Sequence, residues 1–270
     1  MSRRNPPIKV HSKDEVNVNI QVLIATMHQT DRSLPEKMNI QSDAIVGNQC
    51  DIDRVESFEY NGHHIKWLSF AERGVGLNRN NCLMRATADF CLFADDDMVY
   101  IDGYPELVCD AFEKLPKADV IVFNLKEKEA KRYKIQKVHK VGKLNYLRYG
   151  TARVAIRLEN VKRNGIYFNQ CFGGGTEHCH GEDNLFLCEC LRKKLKIYAV
   201  PVEIAELTEE RVSSWDVGYN DKYFRDQGIL YKTISRKWWK LLCLQDAIRH
   251  RKSYKTSWIK AYRKMTAKQK

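Results

Sequence analysis

Apolar residues in this chain fall into short continuous runs, separated by stretches in which they recur every three or four positions. The run IQVLIATM (Ile20–Met27) and the run DAIVGNQCD (residues 43–51) have the length and unbroken character of strands buried on both faces, as in a parallel sheet. Between them SLPEKMN predicts a short helix with Ser33 as its cap. SFEY and HIKWLSF flank Asn61-Gly62, a tight-turn signal that predicts a hairpin. A helical stretch over residues 76–86 leads into the strand DFCLFA, and helix and strand alternate again through GYPELVCDAFEKL and ADVIVFNL. Residues 125–146 are basic, lack a clean period and read as a surface loop or crossover. A strand-like ARVAIRL follows, and then a glycine cluster opens a helix with Leu187, Cys190 and Leu191 on one face. IYAVPVEI (residues 197–204) is a further strand. This succession predicts an α/β fold with a sheet covered by helices on both faces.

Composition adds bounds. The 270 residues are 43% hydrophobic and 30% charged, which excludes a disordered chain and provides for a sizeable core. No apolar run approaches the roughly 20 residues of a membrane-spanning helix. The first residues, MSRRNPPIKVHSKDE, lack the apolar segment of a secretory signal, so a cytoplasmic location is expected. Nine cysteines, with no CxxC pair, read as reduced thiols and not as a disulfide framework or zinc cage.

Charge divides the chain. Residues 236–270 carry twelve Lys or Arg against one acid, Asp246, so nearly all of the net +12 lies there. Within this segment Leu241, Leu244 and Ile248 recur at helical spacing, as do Trp258, Tyr262 and Met265, with Trp238 and Trp239 beside them. An amphipathic basic extension of this kind suits an anionic membrane surface, or packs its apolar stripes on the body with the charge outward. The expected organisation is a loose arm (1–17), a main domain (18–235, with halves 18–124 and 125–235) and a basic helical tail (236–270).

Three features carry candidate chemistry. Asp95, Asp96 and Asp97 follow an apolar strand. Carboxylates this close repel and call for a compensating cation or a helix N-terminus. Their oxygens suit Mg²⁺ or Mn²⁺, at the strand edge where open α/β sheets bind ligands. Upstream, Arg79 sits on the first turn of the helix before that strand, a place for a phosphate or base contact. Downstream, FGGGTEHCHGEDN lets the backbone approach a ligand and then starts a helix with Glu182 and Asp183. One of these carboxylates can accept a proton from a hydroxyl. His178 and His180 flank Cys179, with no matching ligand pair elsewhere for zinc.

The order of these pieces, from the first strand through Arg79-Asn80, F-x-D-D-D and the G-G-G…G-E-D-N-x-F segment, resembles the family 2 glycosyltransferases, whose nucleotide-sugar-binding fold is GT-A. The resemblance runs over residues 18–224, and SSWDVGYNDKYFRDQG looks like the acceptor-side ending of relatives that build bacterial surface polysaccharides, including capsules. It implies a Rossmann-like mixed sheet and a metal-dependent, inverting transfer of a sugar from a nucleoside diphosphate sugar, with UDP expected, to a hydroxyl of a saccharide that is lipid-linked in some relatives. Asp95 and Asp97 would bind the metal, Mn²⁺ or Mg²⁺. Thr26, Arg79, Asp95 and Asp96 would contact the nucleotide sugar. Asp183 would be the catalytic base, with Glu182, Gly174, Gly175 and Trp215 on the acceptor side. The chain departs from many relatives after its second strand, where Gly47-Asn48-Gln49 stands in place of a base-reading aspartate, so Asn48 or Gln49 takes that contact through an amide.

Two other readings compete. A basic, aromatic tail also suits a single-stranded nucleic-acid binder, although no nucleic-acid motif accompanies it and no nucleic-acid partner is expected. Nucleotidyl transfer uses similar carboxylates, but the turn after the first strand, ATMHQTDRS, lacks a glycine- and lysine-rich phosphate loop.

Overall fold

Ten strands make one mixed sheet in a computed structural model that describes residues 19–128, 132–208 and 218–267. The two apolar runs are β1 (Ile20–Met27) and β2 (Asp43–Gln49), paired in parallel. Short helix α1 (Leu34–Lys37) connects them; the Ser33 hydroxyl donates to Asp31 instead of capping it, a correction to the cap read from sequence. Strands β3 (Arg54–Tyr60) and β4 (His63–Phe70) form the expected antiparallel hairpin. Asn61 and Gly62 both take positive φ, 50° and 80°, as a two-residue turn matched to strand twist requires. β4 pairs in parallel with β2.

Helix α2 (Val75–Arg85) leads to β5 (Phe90–Asp95), which lies parallel to β1 on the side opposite β2. The chain continues through β6 (Met98–Tyr100), α3 (Tyr104–Lys114) and β7 (Val120–Lys126). Residues 125–146 are not loop throughout: Leu125 and Lys126 finish β7, and β8 (His139–Val141) pairs antiparallel with β10 (Ile197–Leu207). β9 (Val154–Arg157) inserts antiparallel between β5 and β7, ahead of α4 (Leu158–Arg163) and α5 (Glu182–Arg192). β10 runs parallel to β7 and antiparallel to β6.

Both sheet faces are buried, because successive side chains of a strand point to opposite sides. Leu23 belongs to one core with Cys82 and Leu83 of α2, Val161 of α4 and Phe186 of α5. Val22 and Ile24 belong to the other, with Leu34 of α1 and Val108 and Phe112 of α3. The architecture is the GT-A-like mixed sheet with helices on both faces.

Three helices follow: α6 (Asp221–Ile234), α7 (Trp239–Arg249) and α8 (Trp258–Thr266). They share a core of Phe224, Tyr231, Cys243, Ala247, Tyr254, Ala261 and Met265. Asn220 and Ser257 cap α6 and α8 by accepting from Tyr223 N and Lys260 N. Gly228 allows the closest approach, since a Cβ there would lie 1.9 Å from the Met265 carbonyl oxygen. The basic tail is therefore packed through Cys243, Ala247, Ala261 and Met265, whereas Leu241 and Ile248 stay 56% and 47% exposed beside Trp238 at 55%. No helix among the described residues is long and apolar enough to cross a membrane.

Candidate active site

Parallel pairing brings three strand ends together. Ala25 is in register with Asp95, Thr26 with Asn48 and Met27 with Gln49, so the carboxyl ends of β5, β1 and β2 form one edge. A cleft of about 490 Å³ opens above it, lined by Thr26, Gln49 and Asp95 to Asp97 from the sheet, by Arg79 from α2, and by Gly174 and residues 179–184 at the start of α5. Residues 147–150 close the remaining side.

Helix α2 lies tight on β2 because Gly47 has no side chain. A Cβ there would sit 2.5 Å from Asn78 Oδ1, and Asn78 Nδ2 donates to Gly47 O at 2.8 Å. Asn80 fastens the same helix to Phe168 by a donated bond of 2.9 Å and an accepted one of 2.8 Å. Arg79, between these anchors, projects into the cleft with only 4% of its surface exposed. Its Nη2 donates to Asp95 Oδ1 at 2.7 Å; its Nη1 donates to Asp183 Oδ1 at 2.8 Å and to Glu182 Oε1 at 3.2 Å. The guanidinium also lies 5.4 Å from the Phe168 ring centre. Arg79 thus joins the aspartate strand to the acidic helix start.

Gly181 enters α5 at a φ of 111°, in the left-handed half of the map, which favours glycine. Glu182 and Asp183 then occupy the first turn, where the helix dipole favours negative charge. Asp183 Oδ1 also accepts from the Thr151 hydroxyl, while its Oδ2 takes no hydrogen bond among the described residues. Gly150 makes room for that carboxylate, since a Cβ there would meet Oδ2 at 3.1 Å.

The electrostatics follow from this crowding. Burial works against the Arg79 charge, but Asp95, Asp183 and Glu182 more than offset it and hold its pKa above the ordinary value. Burial, then repulsion from Asp183, pushes Glu182 up to about 7 against the attraction of Arg79. Burial together with Asp95 and Asp96 raises Asp97, with Arg132 opposing. Asp96 accepts from the Thr26 hydroxyl at 2.5 Å and from Gln29 Nε2 at 3.4 Å.

The donor set fits Mg²⁺ or Mn²⁺ in one particular way. Asp95 and Asp97 present hard oxygens at the cleft, but among the described residues no three His, Cys, Asp or Glu side chains are grouped as a complete cage. Mg²⁺ is commonly held by one or two carboxylates and completed by substrate phosphates, which is the arrangement these residues could support.

The sequence-predicted residues Thr26, Gln49, Arg79, Asp95, Asp96, Asp97, Gly174, Glu182 and Asp183 converge on this cleft. Asn48 does not line it: its amide accepts from Gln29 N and donates to Gln29 O, both at 3.0 Å, and holds the turn after β1. Gly175, at a φ of 81°, is not part of the lining. Trp215 lies outside the described residues. Sequence reading missed Thr151 and residues 147–150, because RYGT resembles no motif and its position depends on β9. His180 lines the cleft, with Nε2 2.5 Å from Gln227 Oε1, whereas His178 faces Asp226 at 3.3 Å. The nine cysteines are free thiols.

Comparisons with known proteins add an independent view. The model of the family described as glycosyl transferase family 2 matches residues 52–191, just over half of the chain. No curated protein matches it. Among solved structures, S. aureus TarS 1–349 in complex with UDP-GlcNAc matches with a TM-score of 0.65 and 16% identity, over 93% of this chain and 76% of that one. The same TarS segment in complex with UDP matches with a TM-score of 0.58 and 16% identity, over 86% and 72%. A longer S. aureus TarS chain matches with a TM-score of 0.60 and 16% identity over 86% of this chain, which spans 43% of that one. At these identities the likeness is one of fold.

Proposed function

The chain belongs to glycosyl transferase family 2 and is a glycosyltransferase, and from that premise we propose that it transfers a sugar from a UDP-sugar to a saccharide hydroxyl with inversion, assisted by Mg²⁺ or Mn²⁺. The observation that carries this reading is the Arg79 junction, which holds a donor-edge carboxylate and a helix-start carboxylate on one guanidinium in one cleft. S. aureus TarS 1–349, similar to this chain in fold, forms complexes with UDP-GlcNAc and with UDP, which supports a uridine nucleotide as donor.

Thr26 and Gln49 would line the nucleotide end, with Asp95 and Asp96 beside them. Asp95 and Asp97 would hold the metal ion, whose charge, when bound, offsets the negative charge growing on the leaving diphosphate. Asp183 is the base: Arg79 and Thr151 fix Oδ1, so Oδ2 is left to take the acceptor proton. The acceptor oxygen forms its bond to the anomeric carbon as the bond to the diphosphate breaks, and the bonding pair leaves with the diphosphate. Glu182 and Gly174 would bound the acceptor side, with Gly175 and Trp215 proposed from resemblance alone.

The acceptor we propose is a growing, lipid-linked surface polysaccharide, capsule included, at the cytoplasmic face of an anionic membrane. Exposed Trp238, Leu241 and Ile248 on one side of α7, with exposed Lys237, Lys240, Lys252 and Lys255 nearby, support docking there.

A donor panel tests the proposal. Nucleotide sugars are added to the protein with Mg²⁺ or Mn²⁺ while thermal shift and slow release of nucleoside diphosphate are followed. One donor should stabilise the protein in a metal-dependent way, and Asp97→Ala should abolish the shift. Asp183→Ala should keep the shift and lose turnover by about 10²- to 10⁴-fold. Absence of a shift with every donor and metal would overturn the reading.

A further inference from the structure

A second cleft, of about 370 Å³, continues from the first between the segment 143–148 and helices α6 and α7. Leu147, Arg148, His180 and Asn184 line both, so the two spaces are contiguous and share a wall at the start of α5. The second cleft has a chemistry of its own. Tyr219, Tyr223 and Tyr254 line it, and Tyr223 stacks on His180 with ring centres 4.6 Å apart. Lys143, Arg148 and Arg249 add cationic groups, and the His250 imidazole lies beside them with Nε2 3.7 Å from Asp246 Oδ1. Lys143, Arg148 and Arg249 have no carboxylate partner among the described residues; the Arg148 guanidinium lies 4.6 Å from the Tyr133 ring centre, and its Nε is buried without a hydrogen bond. The single acid of the lining, Asp246, is buried and accepts from Tyr254 Oη at 2.5 Å.

The geometry points to an anionic-saccharide subsite: we infer that this second cleft binds the part of the acceptor beyond the reacting sugar, and that this part carries phosphate or carboxylate groups. The inference rests on the glycosyltransferase reading of the first cleft and deepens it by assigning the acceptor's chemical class. Tyrosine faces give a sugar ring an apolar surface with a polar edge, and unpaired guanidinium and ammonium groups match anionic substituents. Helix α7 has three separate faces. Cys243 and Ala247 point into the helical core, Asp246 and Arg249 line the cleft with Leu242 at the border of the two, and Leu241 and Ile248 are exposed. An acceptor chain leaving the first cleft therefore meets cations and aromatic rings before it reaches the exposed apolar strip.

Binding of three probes to the full chain, measured by calorimetry, tests the inference: mannopentaose 6-phosphate, tetragalacturonate and neutral maltotetraose. At least one anionic probe should bind about tenfold more tightly than maltotetraose, equal to about 1.4 kcal/mol. If only the phosphate probe does so, the substituent is a phosphate; if only the uronate probe does so, it is a carboxylate. Arg249→Gln combined with Lys143→Gln should remove that preference, and Tyr219→Ala should weaken both anionic and neutral probes. Lys117→Gln with Lys193→Gln, a control that lowers surface charge outside both clefts, should change nothing. Thermal stabilisation of the unaltered chain by UDP, read separately, tests the donor reading, and its absence counts against that reading alone; in the variants the same stabilisation should persist, and its loss in the cleft variants would overturn a subsite separate from the first cleft. Equal binding of charged and neutral probes overturns the subsite, and so does an equal loss in the cleft and control variants.

Discussion

Arg79 Nη1 lies 2.8 Å from Asp183 Oδ1, so a buried cation from α2 fixes the helix-start acid of α5 across more than a hundred residues of chain. The same guanidinium reaches Asp95, and the acceptor-side and donor-side carboxylates therefore share one counter-ion. Removing the positive charge leaves three acids facing one another without their shared counter-ion. Arg79→Gln is expected to cost about 3 kcal/mol in urea unfolding, because one member of a buried ionic cluster has been deleted. Turnover should fall together with stability, and Arg79→Lys should recover only part of each, since an ammonium lacks the planar fork.

Thr151 acts through Asp183. Thr151→Val keeps the shape but removes the hydroxyl that accompanies Arg79 on Oδ1. The expected result is a fall of about tenfold in kcat, unchanged donor-induced thermal shift, and recovery in Thr151→Ser, all read by initial rates. A loss confined to KM would point to substrate binding instead.

Glu182 gives the site a pH signature. Its pKa rises from 4.5 to about 7 on folding, so between those values the folded state holds more protons than the unfolded one. Stability should therefore fall as pH rises through this window, with the full penalty present above about 7. In Glu182→Gln that slope should flatten, which thermal unfolding at a series of pH values would show. An unchanged slope would mean that another group is responsible.

Gly228 tests the helical unit. A methyl group there would press on the Met265 backbone, which has no rotamer with which to yield. Gly228→Ala is expected to cost about 1–3 kcal/mol and to raise hydrogen exchange in α8, even though alanine favours a helix.

The outer strip of α7 can be tested apart from catalysis. Trp238→Asp with Leu241→Asp should reduce sedimentation with phosphatidylglycerol vesicles at least as strongly as raised salt does, without lowering the melting temperature, because both side chains are exposed. Vesicle binding that responds to salt and not to these substitutions would assign the interaction to charge alone.

Much of this was available from local patterns. Continuous apolar runs identify β1, β2, β5 and β7 because strands buried on both sides need no polar face. Asn61-Gly62 specifies its hairpin through backbone conformations that few other pairs adopt. The aspartates at the end of β5 and the acids opening α5 are likewise short-range facts: each is a neighbour in sequence of the element that presents it. What tertiary structure alone decided are the relations between distant segments. β9 separates β5 from β7, and this brings Gly150 and Thr151 to Asp183; nothing in RYGT announces it. Arg79 read as a contact for phosphate or base, but with α2 fixed on Gly47 its guanidinium meets three carboxylates. In α7 the period of Leu241, Leu244 and Ile248 reveals a stripe but not its direction. The face that turned inward was Cys243 and Ala247, since small side chains let the helix approach α6 and α8 closely. Periodicity reports which residues share a face. Which face finds a partner depends on shapes and charges that the chain brings together only when it folds.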